Sequence, residues 1–153
     1  MKLLTLLKAG AFYATWYPSR YFGWGRWPRY AEFGRLARHV RFTERMSRKL
    51  ARKTFHAMLR FGPRLEKRQS VLFRLVDVGA DLFAMAATCS RAEMLRKQGQ
   101  SEAVELADLF CRHARRRVRA AFRSVFDNED VRTYAVARQV LEGKHTWMER
   151  GMV

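Results

Sequence analysis

The sequence lacks the features of a membrane-spanning or disulfide-rich protein. No stretch reaches the roughly 20 apolar residues that a spanning helix needs, and the opening run is interrupted by Lys8. That run also lacks the small-residue cleavage site of an export signal. The two cysteines, Cys89 and Cys111, fall on predicted apolar helix faces, which favours buried thiols in a reducing compartment over a disulfide. We therefore expect a cytoplasmic protein.

The chain also lacks the patterns that usually carry catalysis or bind a cofactor. It has no Gly-rich phosphate loop and no alternating strand pattern. The four histidines are scattered, and Cys111 and His113 stand two apart, which points them to different sides of a helix. The sequence therefore predicts no catalytic, cofactor-binding or metal-binding residue.

Acidic residues are scarce, and most of the deficit lies in the first half of the chain. There are 31 Lys or Arg against 14 Asp or Glu, a formal net charge of +17. Residues 1–68 hold 17 basic and 3 acidic residues, whereas residues 69–153 hold 14 and 11. We expect the first half to face something acidic. Anionic lipid head groups, nucleic acid and an acidic partner surface are all candidates, and net charge does not choose among them.

Residues 1–30 form a predicted N-terminal arm, rich in aromatic and basic side chains. Three of the four tryptophans lie in it, Trp16, Trp24 and Trp27, interleaved with arginines. Such a mixture suits a membrane interface, where rings settle at the head-group level and guanidiniums meet phosphates. It also suits stacking on single-stranded bases. A third interpretation is an extended segment whose rings cover the core of the domain that follows. The three tryptophans are candidates for membrane or partner docking.

Apolar residues recur at helical spacing through the rest of the chain, residues 31–153, which we predict to be one domain. The pattern indicates helices over residues 31–61, 64–98, 101–126 and 131–142. Gly62 and Pro63 end the first helix, and Gly143 closes the last. The sequence therefore predicts an all-α fold, an antiparallel bundle of about four helices preceded by the arm.

One predicted helix carries a row of arginines that is the strongest functional hint in the chain. The row, here called the arginine stripe, consists of Arg38, Arg41, Arg45, Arg48 and Arg52. Steps of three and four place these side chains along one helical face. Like charges at such spacing repel by roughly 0.2–0.5 kcal/mol per pair, and Glu44 offsets only part of that. We predict that the arginine stripe binds an anionic surface.

The segment RQSVLFRLVDVGADLFAMAATCSRA, residues 68–92, predicts a buried helix and also carries a family pattern. Asp77 and Asp81 stand one turn apart, and we expect a structural polar network in which they pair with Arg74 or with arginines of adjacent helices. The segment resembles the helix that opens the C-terminal helical domain of very-long-chain acyl-CoA dehydrogenases. The resemblance extends more weakly from about Tyr30 to Arg150. The positions that carry it are Gln69, Leu72, Arg74, Asp77, Asp81, Leu82, Ala84, Met85, Ser90 and Ala92, with Phe83 in an aromatic place.

That family oxidises long acyl-CoA thioesters with bound FAD on a large catalytic core, for which this chain is too short. The resemblance implies a non-catalytic accessory or docking domain, either a separate subunit or a fragment of a longer enzyme, with FAD belonging only to the missing core. The partner implied by the resemblance is a dehydrogenase core, and Glu142, followed by a glycine, is similar to that family's catalytic glutamate only distantly. The basic first half adds an anionic surface at the inner face of the membrane as an expected partner, and a second copy in a homodimer is a further candidate. The alternative is a basic helical protein that binds nucleic acid, although the predicted helices are too long for a helix-turn-helix.

Overall fold

The computed structural model describes residues 2–21 and 30–150 of the chain, and these residues are all-α. The α-helices are α1 (Lys2–Ser19), α2 (Ala37–Phe61), α3 (Gln69–Lys97), α4 (Ala103–Ser124) and α5 (Asp130–Leu141). Short 3-10 helices cover Ala31–Leu36, Gly62–Lys67 and Thr146–Met148. The all-α prediction is confirmed.

Helices α2, α3 and α4 pack together in an up-down-up order. Asp81 and Cys89 of α3 contact Arg117 and Cys111 of α4, so the two helices run in opposite directions. Leu50 of α2 lies beside Gly79 of α3, and Ala57 of α2 clusters with residues nearer the start of α3, which makes this pair antiparallel too. Helices α2 and α4 consequently run parallel, side by side.

Two buried clusters hold these three helices together. The first fills most of the length of the bundle and contains Leu36, Phe42, Val78, Leu82, Met85, Cys89, Ala92, Ala107, Cys111, Ala114, Val118 and Phe122. The second lies at the end where α2 finishes and α3 begins, and contains Ala57, Val71, Leu75 and Val125. Between those helices the chain reverses at Gly62, whose φ of 50° is easily adopted only by glycine, and Pro63 follows.

Helix α1 lies within the predicted arm and packs on the outside of α2 through aromatic rings. Tyr13 and Trp16 place their ring centroids 4.9 and 5.9 Å from that of Phe55. The hydroxyl of Tyr17 lies 2.7 Å from Nε2 of His56. Residues 2–19 are thus helical rather than extended, and their rings cover α2.

Helix α5 belongs to neither buried cluster. All its residues after Asp130 are exposed, Tyr134 to 69% and Leu141 to 88%. Its first residue is tied to the bundle, because the Asp130 carboxylate accepts two hydrogen bonds from Arg74 of α3, at 2.5 and 2.6 Å. The described residues therefore show a three-helix core with α5 attached at its start, where the sequence suggested about four packed helices.

Within the described ranges, none of the helices combines the length and apolar character required to cross a membrane.

Candidate functional site

The most concentrated polar site joins the beginnings of α2 and α4 around the carboxylate of Asp108. Asp108 is only 6% exposed. It accepts hydrogen bonds from Arg38, from Nε2 of His39 at 2.8 Å and from Nε of Arg112 at 2.7 Å. Two of these donors come from α2 and one from α4. The carboxylate therefore fixes the register of the two parallel helices.

The surroundings of Asp108 and His39 set their charges. Burial opposes ionisation of Asp108, but the hydrogen bonds from Arg38, His39 and Arg112 outweigh it, and the pKa of the carboxyl lies well below its ordinary value. Burial lowers the pKa of His39 more strongly than Asp108 raises it, so the imidazole is neutral at pH 7.

The hydrogen bond to Asp108 also selects the tautomer of His39. An ionised carboxylate only accepts hydrogen bonds, so the proton of the neutral ring lies on Nε2. Nδ1 is buried and has no hydrogen-bond partner among the described residues. With His39 fully buried, the pair is a lock between helices rather than an acid–base couple open to a substrate.

The predicted arginine stripe is divided by the fold. Arg38 lies on the α4 side of α2, since it binds Asp108, and Arg45, two turns later, lies on the same helical face. Arg48 forms an ion pair with Glu44 at 3.3 Å. The stripe is therefore not a single free basic face.

The last member of the stripe turns toward α1. Arg52 donates a hydrogen bond of 2.6 Å to the backbone oxygen of Arg20 and lies 4.3 Å from the centroid of the Tyr21 ring. Arg41 is half-buried on the same helix. Arg52 thus helps to hold the end of α1 against α2, a role that its spacing alone did not reveal.

Of the tryptophans predicted to dock on a membrane or partner, Trp16 lies in α1, and Trp24 and Trp27 fall outside the described residues. Trp16 is half-buried, and its ring contacts Tyr13, Phe55 and the guanidinium of Arg20. In this arrangement Trp16 already packs within the chain.

The predicted polar network of Arg74, Asp77 and Asp81 has different connections in the structure. Arg74 pairs with Asp130 of α5. Asp81 pairs with Arg117 of α4, which is half-exposed, with a shortest N–O distance of 2.6 Å. Asp77 is exposed. Of the two expected arrangements, the structure therefore has the second for Asp81, which pairs with an arginine of a neighbouring helix, although near the surface rather than in the core.

The two cysteines meet at the centre of the α3–α4 contact. Cys89 and Cys111 are buried free thiols whose sulfur atoms are 3.7 Å apart. The hydrogen bond to Cys111 and burial both raise the pKa of Cys89, which keeps this thiol protonated at neutral pH.

A face of α3 remains uncovered by the rest of the described chain. Its side chains, here called the α3 face, recur every three or four residues opposite the core: Phe73, Val76, Ala80, Phe83 and Ala87. Phe83 is 77% exposed and Phe73 63%. A row of exposed apolar side chains along several helical turns is typical of a protein–protein contact surface.

The described residues contain no group of three or more His, Cys, Asp or Glu side chains placed to hold a metal ion. Glu142 is exposed and pairs with Arg138 at 3.5 Å and Lys144 at 3.1 Å.

The Asp108 site is the feature that sequence reasoning missed. In the sequence Asp108 belongs to no motif, and His39 is one of four scattered histidines. The residues that meet here are 69 and 70 positions apart. Helical spacing gives no signal for a contact of that separation.

Comparison with known proteins places the chain among acyl-CoA dehydrogenase C-terminal regions. Residues 35–146 match the family model described as ACAD9/ACADV, C-terminal domain. The chain is 49% identical over 149 residues to the probable acyl-CoA dehydrogenase FadE10 of Mycobacterium bovis and to that of Mycobacterium tuberculosis. The match covers 95% of this chain but only 23% of the length of these relatives. No solved structure matches significantly.

Proposed function

This chain belongs to the family of ACAD9/ACADV C-terminal domains, and on that premise we propose that it is a non-catalytic accessory domain that docks on an acyl-CoA dehydrogenase core. The match is confined to about a quarter of the relatives' length, which leaves the rest of such a protein as the natural partner. The fold of the described residues supports this role, since the buried pair of Asp108 and His39 joins two helices and does not face an open site.

The observation that carries the proposal is the exposed α3 face. Phe73, Val76 and Phe83 are each more than 60% exposed, although α3 is the central helix of the domain. Burying an aromatic or branched side chain stabilises a complex by about 1.5–3 kcal/mol. These side chains therefore favour a complex in which a second surface covers α3.

Helix α5 supports the same proposal independently. It has 12 residues, and isolated helices of that length are marginal in water. Its apolar side chains Val131, Tyr134 and Leu141 are exposed. A dehydrogenase core lying against α5 would bury them and stabilise the helix.

An anionic membrane surface is a second candidate partner, favoured by the 17 basic and 3 acidic residues of the first 68. Vesicles with acidic lipids would then bind the chain, with an affinity that falls as salt shortens the Debye length. Equal binding to neutral and acidic vesicles would contradict it. Tight binding to nucleic acid at physiological salt, with none to vesicles, would favour the nucleic-acid alternative.

The docking proposal is tested by titrating the chain into the mycobacterial relative truncated before the region that this chain matches, followed by calorimetry. Wild type binds. The double variant Phe73→Ser/Phe83→Ser binds at least ten-fold more weakly, because two anchoring rings are lost.

A matched control is Leu59→Ser on α2, whose side chain is 69% exposed but lies away from the α3 face. This variant should bind like wild type. Wild-type affinity in the double variant would exclude the α3 face, and absence of binding by wild type would contradict docking on a core.

A further inference from the structure

A second group of arginines lies in the groove where α2 and α4 run side by side. The guanidinium carbon of Arg115 of α4 is 4.7 Å from the centroid of the Phe42 ring of α2. That of Arg119, one turn later, is 5.4 Å from the same ring. Phe42 is buried, so two cations from α4 rest on one ring at the floor of the groove. These cation–π contacts hold both guanidiniums in place.

Two arginines of α2, Arg38 and Arg45, lie one turn before and one turn after Phe42, on the same helical face. Burial lowers the pKa of Arg115, and the charges of Arg119, Arg38 and Arg45 lower it further. Arg115 is half-buried, so burial and three positive charges around it together oppose its own charge. Such a concentration of like charge is unfavourable unless an anion compensates it.

Of these four arginines, Arg115 has a buried nitrogen that lacks a hydrogen-bond acceptor. Its Nε is buried and has no hydrogen-bond partner. In the part of the chain that the structure describes, neither Arg115 nor Arg119 nor Arg45 forms an ion pair or hydrogen bond with another residue. A half-buried guanidinium whose Nε lacks an acceptor costs stability, and an anionic ligand bound there would offset that cost.

The acidic residue at one end of this groove, Asp108, already has three hydrogen-bond donors. Asp108 accepts hydrogen bonds from Arg38, His39 and Arg112, so it has little capacity left for Arg115. The missing counter-charge must therefore come from outside the groove. Several arginine forks around one point suit an anion with multiple acceptor oxygens and more than one negative charge.

We propose that the groove formed by Arg38, Arg45, Arg115 and Arg119 is a binding site for a phosphate group. A soluble phosphate compound and a phospholipid head group offer the same chemistry. The phosphate supplies the counter-charge that Arg115 lacks and links α2 to α4. The site uses no residue of the α3 face. Its test is therefore independent of the test of docking on a dehydrogenase core.

The first experiment measures thermal unfolding of the full chain in sodium pyrophosphate and in sodium chloride at equal ionic strength. Pyrophosphate should raise Tm by about 5 °C beyond the chloride value when it exceeds its Kd a hundredfold. The double variant Arg45→Gln/Arg115→Gln should lose this extra rise. It should also unfold in chloride at the wild-type temperature or above, because a desolvated and unpaired charge is gone.

The matched control is Arg91→Gln/Arg116→Gln, which removes the same charge from two exposed positions outside the groove. It should keep the pyrophosphate response of wild type. If the groove variant fails to fold, Arg45→Gln alone, at an exposed side chain, should still weaken pyrophosphate binding several-fold.

A vesicle arm distinguishes the two sources of phosphate. The site is assigned to a lipid head group if the chain binds phosphatidic acid vesicles but not phosphatidylcholine vesicles and does not respond to pyrophosphate. This binding should be lost in the groove variant and kept in the control. A response to pyrophosphate assigns it to a soluble compound. If neither pyrophosphate nor phosphatidic acid distinguishes the groove variant from its control, the proposal is overturned.

Discussion

Asp108 accepts three hydrogen bonds, two of which join α2 to α4, and its charge matters more than its shape. Asp108→Asn keeps the shape but leaves Arg38 and Arg112 facing a neutral amide. Breaking a fully buried ion pair costs about 3 kcal/mol. Because the two arginines are half-exposed, we expect the free energy of unfolding to fall by about 2 kcal/mol. Urea titration at pH 7 measures this loss.

A suitable control for Asp108 is Glu105→Gln, an exposed acid one turn earlier on α4. It removes the same charge and should change stability by less than about 0.5 kcal/mol. Equal effects of the two substitutions would mean that net charge, not the hydrogen bonds, accounts for the loss.

His39 should make the stability of the fold depend on pH. Its pKa in the folded chain lies below the ordinary value of 6.5. Above pH 6.5 His39 is mostly unprotonated in both the folded and the unfolded chain, and its contribution to the free energy of unfolding is complete. As pH falls through 6.5 the unfolded chain takes up a proton first, so stability decreases on acidification. Urea titrations from pH 7.5 downward should show this decrease.

His39→Gln removes the titration and keeps a donor at the position of Nε2, so its stability should decrease less over the same pH range. His113→Gln, at an exposed position on α4, is the control and should follow wild type. Identical pH profiles for wild type and His39→Gln would show that His39 does not carry the effect.

At the scale of single residues, the sequence revealed which side chains are charged but not which ones meet. Arg38 looked like part of a row of five because helical spacing places it there. Its actual partner, Asp108, lies 70 positions away. The ring on which Arg115 rests is equally remote, since Phe42 belongs to another helix. Such contacts depend on how helices pack, which the periodicity of one helix does not encode.

Among the elements, four helices were predicted closely. Strong apolar periodicity placed α4 and α5 within two residues of their observed ends, and the Gly62–Pro63 pair set the end of α2. Helix α3 ends one residue before the predicted end but begins five residues after the predicted start, because Gly62–Lys67 form a 3-10 helix. Residues 31–36 differ, because Gly34, with a φ of 48°, interrupts the helix and leaves a 3-10 segment before α2.

Helix α1 was missed for a physical reason. Its apolar residues are spread around the helix rather than gathered on one face, and it has no acidic residue in its first turn. What holds it is tertiary: Tyr13, Trp16 and Tyr17 pack on Phe55. Tertiary packing routinely overrides a weak local pattern.

Helix α5 should be separable from the core. Val136→Pro places a proline in its middle, where the ring removes a hydrogen bond and breaks the helix. Because no α5 side chain enters the two buried clusters, the free energy of unfolding of the bundle should change by less than about 1 kcal/mol. Circular dichroism should lose the signal of about one short helix, while the urea midpoint stays in place.

Val136→Ala is the matched control, since it removes the same exposed side chain but leaves α5 helical. A loss of several kcal/mol in Val136→Pro alone would mean that α5 packs against the bundle in solution. In the presence of a dehydrogenase core, Val136→Pro should weaken binding more than Val136→Ala does, because the docking proposal uses α5.

At the scale of the whole molecule, the exposed apolar side chains and the excess of positive charge both favour binding to another molecule. The core is formed by α2, α3 and α4, while the α3 face and α5 leave large apolar side chains in water. The chain also carries 31 basic against 14 acidic residues. Both features are unfavourable for an isolated domain and are relieved by an apolar partner surface and by anions, respectively.

The stability of the isolated chain should therefore rise with salt. Surface ion pairs such as Asp81–Arg117 contribute at most about 1 kcal/mol each and weaken when screened. Repulsion among an excess of 17 positive charges is screened by the same ions, and this gain should dominate. Between about 0.02 and 0.5 M NaCl, Tm should increase by a few degrees. Arg91→Glu/Arg116→Glu lowers the net charge from +17 to +13 and should flatten the increase. A Tm that falls with NaCl would show that ion pairs outweigh repulsion, and that the excess charge is already balanced within the fold.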